Sequence, residues 1–451
     1  LQSLLNRVKE TKKVLRKHQI ETILNEFDEE TMNLGPEKRL MKYEQMMESP
    51  FRFFRGSAYL FYYDATKMPF SFHTDADKPT WIQGDLHMEN FGAFQNENGD
   101  IVYDVNDFDE GYIGSYLYDI LRMAVSIALY GEAQGFTIEE QKKRIHTYLH
   151  AYHKQLTRFI NGKDDPFSLT FTVENTKGPV KKTLKKLAKR QRDHLLKDIT
   201  YIDENGKRAF AWSEEIEPVQ LDERTLLEKL TESYINSLDV ENQKDLSFYT
   251  IKDIAKKHGT GTASIGLDRY YILIEGEKEA QGVDDLVLEV KEVRTAVPTY
   301  FLPYREKFWE KYEHQGKRVV ATQKAMHHLE DPYLGYLTID GHEFYVRERS
   351  PYKKKVKAAQ LATVEDFDAT VEIMGKITAK IHARADVDTE SELFTHESEE
   401  EIIEAIGKDF QTFAAQIIFA AIGYKEQVNH DYELFCEWVQ ETFKKAVKKG
   451  K

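Results

Sequence analysis

The chain is expected to fold as α+β, with a small antiparallel β unit enclosed in a mostly helical body. Three observations lead there. Apolar residues recur at helical spacing toward both ends, and aromatic and β-branched runs set off by turn residues cluster between 267 and 349. The third is length, since 451 residues hold two or three cores at roughly 150 residues per core. The expected segments are 1–78 (helical), 79–247 (helical, with the chemistry-bearing motifs and a basic insert), 248–352 (the β unit) and 353–451 (helical).

Composition narrows the function classes. A net charge of −14 argues against non-specific binding to nucleic acid. The single cysteine, Cys436, leaves no internal disulfide and fits a cytoplasmic protein. No apolar run is long enough to span a bilayer, and residues 1–30 carry no signal-peptide core, so no membrane partner is expected. Oligomeric state leaves no legible mark.

Residues 1–48 read as helices. Leu5, Val8 and Leu15 fall at near-helical spacing, Ile23, Leu24 and Phe27 form a second apolar patch, and Gly35-Pro36 opens a further helix. An aromatic stretch, Pro50 to Tyr63, follows. Ser115 to Tyr130 is apolar on nearly every face, which predicts a buried helix, and Glu139 to Ile160 is helical. Lys177 to Lys197 is strongly basic, with Val180, Leu184, Leu187 and Leu195 on one face. This predicts an amphipathic helix whose outer side either docks an acidic substrate or polyanion or is a solvated face balancing an acidic protein.

Asn205-Gly206 predicts a hairpin between Tyr201 and Trp212, and Leu221 to Leu238 returns to helix. A glycine-rich loop, Lys257 to Gly266, leads into strands at Leu267–Glu275 and Asp285–Val293. A helix, Gly316–His328, and a hairpin through Asp340-Gly341 come next. Phe367, Val371, Met374, Thr378 and Ile381 form a helical stripe, and helices at 399–422 and 432–447 finish the chain.

The chemistry concentrates in Gln83-Gly84-Asp85-Leu86-His87-Met88-Glu89-Asn90 and Asn106-Asp107-Phe108-Asp109-Glu110. A carboxylate ahead of an asparagine, then a second acidic cluster after a short strand, is the set that phosphoryl transfer from a magnesium nucleotide needs. One carboxylate orients the acceptor and takes its proton, while an amide oxygen and another carboxylate hold the metal.

This pattern resembles the catalytic loop and metal motif of antibiotic and choline kinases, H-G-D-x-x-x-x-N followed by I-D-F or I-D-W. Gly114 and Asp119 keep the onward spacing, whereas Gln83 occupies the place of the usual histidine. The wording G-D-x-H-x-x-N-F-G with N-D-F-D-E also resembles an uncharacterised bacterial family grouped with the kinase-like fold, over most of the chain. The resemblance implies ATP and Mg2+ as cofactors, Asp85 as the acceptor base, and Asn90 and Asp107 as metal ligands, with Asp109 supporting a second ion. It makes Asp119 a support that accepts hydrogen bonds from the loop backbone. His87 is a phosphate contact, a metal ligand or a tie within the loop. Arg55, in the F-x-F-x-R-G segment, either sets a guanidinium on a phosphate or pairs with a structural carboxylate.

Glycine loop, strand, strand with lysine, helix and hairpin together resemble a kinase small lobe. Gly259, Gly261, Ser264 and Gly266 would let backbone N–H groups approach a triphosphate, and Lys291 would place an ammonium on its phosphates. The partner of that lysine is open between Gln323, Glu306 and Glu310. Because the catalytic residues precede the glycine loop, the implied fold is a circularly permuted, protein-kinase-like two-lobe fold. Ile381-His382-Ala383 resembles the L-x-x-L-H-A helix of antibiotic kinases. The rival readings are a nucleotidyl transferase moving AMP, a metal-dependent hydrolase on Asp85, His87, Asp104, Asp107 and Asp109, and a nucleotide-binding pseudokinase. The acceptor, small molecule or protein, is not identifiable from sequence.

Overall fold

Helix α1 (Gln2–Asn25) buries only its C-terminal end, at Ile20, Ile23 and Leu24. Leu5, Val8 and Leu15 are exposed, so their spacing marks a helix but not a core face. Arg16 anchors α1 instead, 2.6 Å from both Asp64 and Asp431. The computed structural model describes residues 2–258, 261, 265–277, 284–327, 329 and 331–444. Gly259 and Ser264 lie outside the described residues.

Prolines at the first helical turn open α2 (Pro36–Met46) and α3 (Pro50–Gly56), and Ser49 caps α3 by accepting the Arg52 N–H at 3.2 Å. After α4 (Ala58–Ala65) come β1 (Thr80–Ile82), β2 (Phe91–Gln95), β3 (Ile101–Val105) and β4 (Tyr112–Gly114). Ile82 pairs with Tyr112 and Phe91 with Val105. The two motif loops, 83–90 and 106–111, are therefore pinned to each other at both ends.

Helices α5 (Leu117–Ala133) and α6 (Ile138–Ile160) follow, α6 opened by a Thr137/Glu140 capping box. The basic stretch is not one helix. It breaks after α7 (Gly178–Leu187), and Leu195 belongs to a short α8 (His194–Ile199). Between them the Arg190 N–H turns back to the Leu187 carbonyl at 2.9 Å, and its guanidinium donates to the Pro351 carbonyl at 2.7 Å. The expected hairpin forms as β5 (Thr200–Ile202) and β6 (Arg208–Phe210), followed by β7 (Ile216–Pro218), α9 (Leu221–Lys229) and α10 (Thr231–Ser237).

Next come β8 (Ile251–Lys257), β9 (Arg269–Ile274) and β10 (Leu286–Glu292), then α11 (Glu306–Lys311) and α12 (Gln315–Met326). The strands β11 (Gly335–Ile339), β12 (His342–Glu348) and β13 (Lys353–Lys354) follow. They build a six-stranded antiparallel sheet ordered β11-β12-β10-β9-β8-β7, which β7 extends from ahead of residue 248, while β13 joins β2 and β3. Alternation along β10 sorts its side chains. Leu288 and Val290 join a cluster with α9 and α10, Val287 faces Leu196 and Phe210, and Glu289 and Lys291 share the face of Val287. The chain closes with α13 (Val364–Arg384), α14 (Ser398–Ile406) and α15 (Phe410–Val439), the last running unbroken where two helices were expected. The main core gathers α2 to α6 and α12 to α15.

Candidate functional site

Gly84 sets the first motif loop. Its φ is +88°, and a Cβ there would run into the Glu110 carbonyl of the second loop. Gln83 stitches the loops together, donating to the Asp107 carbonyl at 2.7 Å and accepting the Asp85 N–H at 2.9 Å. From below, Asp119 accepts the N–H of Gln83 at 2.7 Å and of Gly84 at 2.9 Å. His382 lies 3.2 Å from the same carboxylate. The loop ends in a turn where Asn90 Oδ1 accepts the His87 N–H at 2.8 Å and His87 Nδ1 accepts the Glu89 N–H at 3.1 Å. Both side chains thus tie the loop together. An accepting Nδ1 leaves the proton on Nε2, and Nε2 points at Asp85 Oδ2 from 3.6 Å. Burial, reinforced by Arg55, Arg122 and Lys355, holds the His87 pKa well below its usual value.

Asp85 is gripped by Arg122, 2.5 Å from Oδ1. That guanidinium is fully buried and rests on the rings of Phe54 and Phe61 at 4.4 and 4.9 Å. Enclosure raises the Asp85 pKa although Arg122 pulls it down. Arg55 pairs with Glu89 at 2.6 Å, which realises the structural-carboxylate reading, and it also borders Gly261.

From the six-stranded sheet, Lys291 of β10 reaches Asp109. Neither Gln323 nor a glutamate of α11 is its partner. Burial disfavours the ammonium, but Asp109, Tyr345 and Asp107 hold its pKa above the usual value. Asp109 Oδ1 is buried without a hydrogen-bond partner. Enclosure pushes Asp107 up, yet Lys291, Arg347, Arg55 and Lys355 outweigh it and leave the carboxylate below its usual pKa. Arg318, fully buried on α12, clasps the carbonyls of Asp109, Gly111 and Arg294 at 2.8, 2.9 and 3.0 Å.

Two hollows flank this centre. A cavity of about 90 Å³ contains Arg55, Asp85, Asp107, Asp109 and Gly261. A larger one, about 400 Å³, is bordered by Phe94, Phe108, Glu289, Gln323, Tyr333 and Arg347. Gly266 packs on Leu34 instead. Asp104 turns away to a buried pair with Lys380. A separate acidic group, Asp386, Glu397 and Glu399, has oxygens within 4.8 Å of one another, and burial lifts Asp386 to about 8.

Arg122, Arg347 and Lys355 are the members that motif reading misses. Arg122 did leave a signal, being one of only two charged residues between Leu117 and Leu129. The arrangement as a whole offers two carboxylates to a hard cation, three cations to a polyphosphate, and one oriented carboxylate to a proton.

A family model described as "Uncharacterized protein conserved in bacteria (DUF2252)" matches residues 35–438. Neither the curated proteins nor the solved structures contain a match.

Proposed function

The chain belongs to that bacterial family, whose description names no activity, and from the site we propose an ATP- and Mg2+-dependent phosphotransferase acting on a hydroxyl of an acceptor. We place it on a circularly permuted, protein-kinase-like fold. One observation carries the reading: Lys291 meets the acidic loop across 182 residues of chain, with Asp107 beside it and a nucleoside-sized cavity adjoining.

Asp107 and Asp109 would hold magnesium, which when bound neutralises phosphate charge. The orphaned Oδ1 of Asp109 and the Asp107 carboxylate, for which no hydrogen bond is found among the described residues, fit that role. Lys291, Arg347 and Lys355 supply positive charge to the polyphosphate. Asp85, steadied by Arg122, takes the proton of the acceptor hydroxyl as its oxygen bonds to the γ-phosphorus. The bond from that phosphorus to the bridging oxygen breaks, leaving ADP. The hydrolase reading loses Asp104, which Lys380 occupies.

Incubation with ATP, Mg2+ and a pool of hydroxylated metabolites and proteins, followed by mass spectrometry, tests the proposal. The expected result is ADP with a phosphorylated product, abolished by Asp85→Asn and Asp107→Asn, while Asp85→Asn still binds nucleotide in calorimetry. Pyrophosphate release would replace this reading with AMP transfer, and absence of nucleotide binding would overturn both.

A further inference from the structure

Helix α7 turns Val180, Leu184 and Leu187 inward and its lysines outward. Near one end, Lys177 lies 2.6 Å from Glu372 and Lys182 lies 3.8 Å from Asp366. Lys185, Lys186 and Lys189 make no such pair among the described residues. Beside them β13 brings up Lys354, with Lys357 just beyond. Burial and then the charges of Lys186, Arg190 and Lys357 push the Lys354 pKa below its usual value. Arg190, Arg349 and Lys353 border a depression of about 250 Å³. Arg349 and Lys353 also border the large cavity, as does Arg192. A track of basic side chains, with Asp198 among those bordering the depression, therefore runs from α7 to the edge of the large cavity, on a chain whose net charge is −14.

We infer that this track is a docking surface for an acidic polypeptide segment. Like charges held this close repel one another, and a polyanion laid over them removes that repulsion. A membrane presents a plane of headgroups, which cannot follow basic side chains down into a depression and along the rim of a cavity. A nucleic-acid duplex is too wide to enter the depression that Arg190, Arg349 and Lys353 border, and a single strand binds largely by stacking on exposed rings, whereas Tyr352, next to β13, is half-buried. A short run of Asp and Glu needs only the ammonium and guanidinium groups present. The inference stands apart from the phosphotransfer reading, because docking requires neither nucleotide nor Asp85.

Fluorescence anisotropy of a short labelled peptide of alternating Glu and Gly, titrated with the full chain, tests it. Binding is expected to weaken steeply with added salt. The combined reversal Lys186→Glu, Lys354→Glu and Lys357→Glu is expected to lower affinity by about tenfold or more. Reversal of the exposed Lys9 and Lys12 on α1 is expected to leave it unchanged, with thermal melts confirming that every variant folds. The inference fails if the peptide does not bind, if the two reversals act alike, or if an RNA of equal charge binds more tightly through the same three lysines.

Discussion

Arg122 is fully buried, so solvent cannot reach it to replace Asp85, and among the described residues no other arginine or lysine pairs with Asp85. Removing one member of such a pair strands the other charge in a poorly solvating environment. Arg122→Met is expected to destabilise the protein by about 3–5 kcal/mol, and adding Asp85→Asn should restore part of the loss, both read by urea denaturation. Glu110 gives a pH signature. Enclosure raises its pKa from the usual 4.5 to about 7, against the pull of the Val297 N–H. A carboxyl with a raised native pKa binds more protons folded than unfolded, so its contribution is full below pH 4.5 and falls away as pH climbs to 7. Glu110→Gln keeps an acceptor for Val297 and should gain on the wild type across that window, by on the order of 2 °C in Tm at pH 8. At this scale the loop residues Gly84 to Asn90 were legible because their roles are local. The contact of Lys291 with Asp109 was not, since no periodicity joins residues so distant in sequence.

Among the elements, α13 crosses α6 at a glycine. A Cβ on Gly375 would strike the Tyr148 carbonyl and crowd Ala151. In an exposed helix the change to alanine is favourable, but here Gly375→Ala is expected to cost about 1–3 kcal/mol. Gly423 on α15 is the control, with nothing within 4 Å of its Cβ position. Gly423→Ala should stabilise by about 0.5–1 kcal/mol, and a pair of denaturation curves tests both signs. Helical periodicity located α5, α6 and α13 because each has a face that another element covers. It located α1 as well, although Leu5, Val8 and Leu15 lie exposed on it, and it overran α7, where Arg190 leaves helical geometry to reach the Pro351 carbonyl. The strands β9 and β10 were readable from their β-branched and aromatic content. The short β7 was not, because three residues are too few to show alternation.

Over the whole molecule, the ends of the chain brace the middle. Arg16 joins α1 to Asp64 and to the almost wholly buried Asp431, and Phe27 and Met32 border the smaller cavity. Deleting residues 2–25 should therefore lower Tm by several degrees and sharply raise susceptibility to proteolysis near α15, because Asp431 loses its counter-charge. The mixed α+β character, with an antiparallel sheet between two helical stretches of the chain, was visible in the order of the segments. The way the segments close on one another was not, because pairings such as Asp104 with Lys380 and Asp119 with His382 leave no trace in either neighbourhood. The second of these pairings bears on biosynthesis. A chain emerging from the ribosome exposes its acidic loops early, yet His382 is added 263 residues after Asp119, so a nascent fragment cannot complete its own centre until α13 has been made.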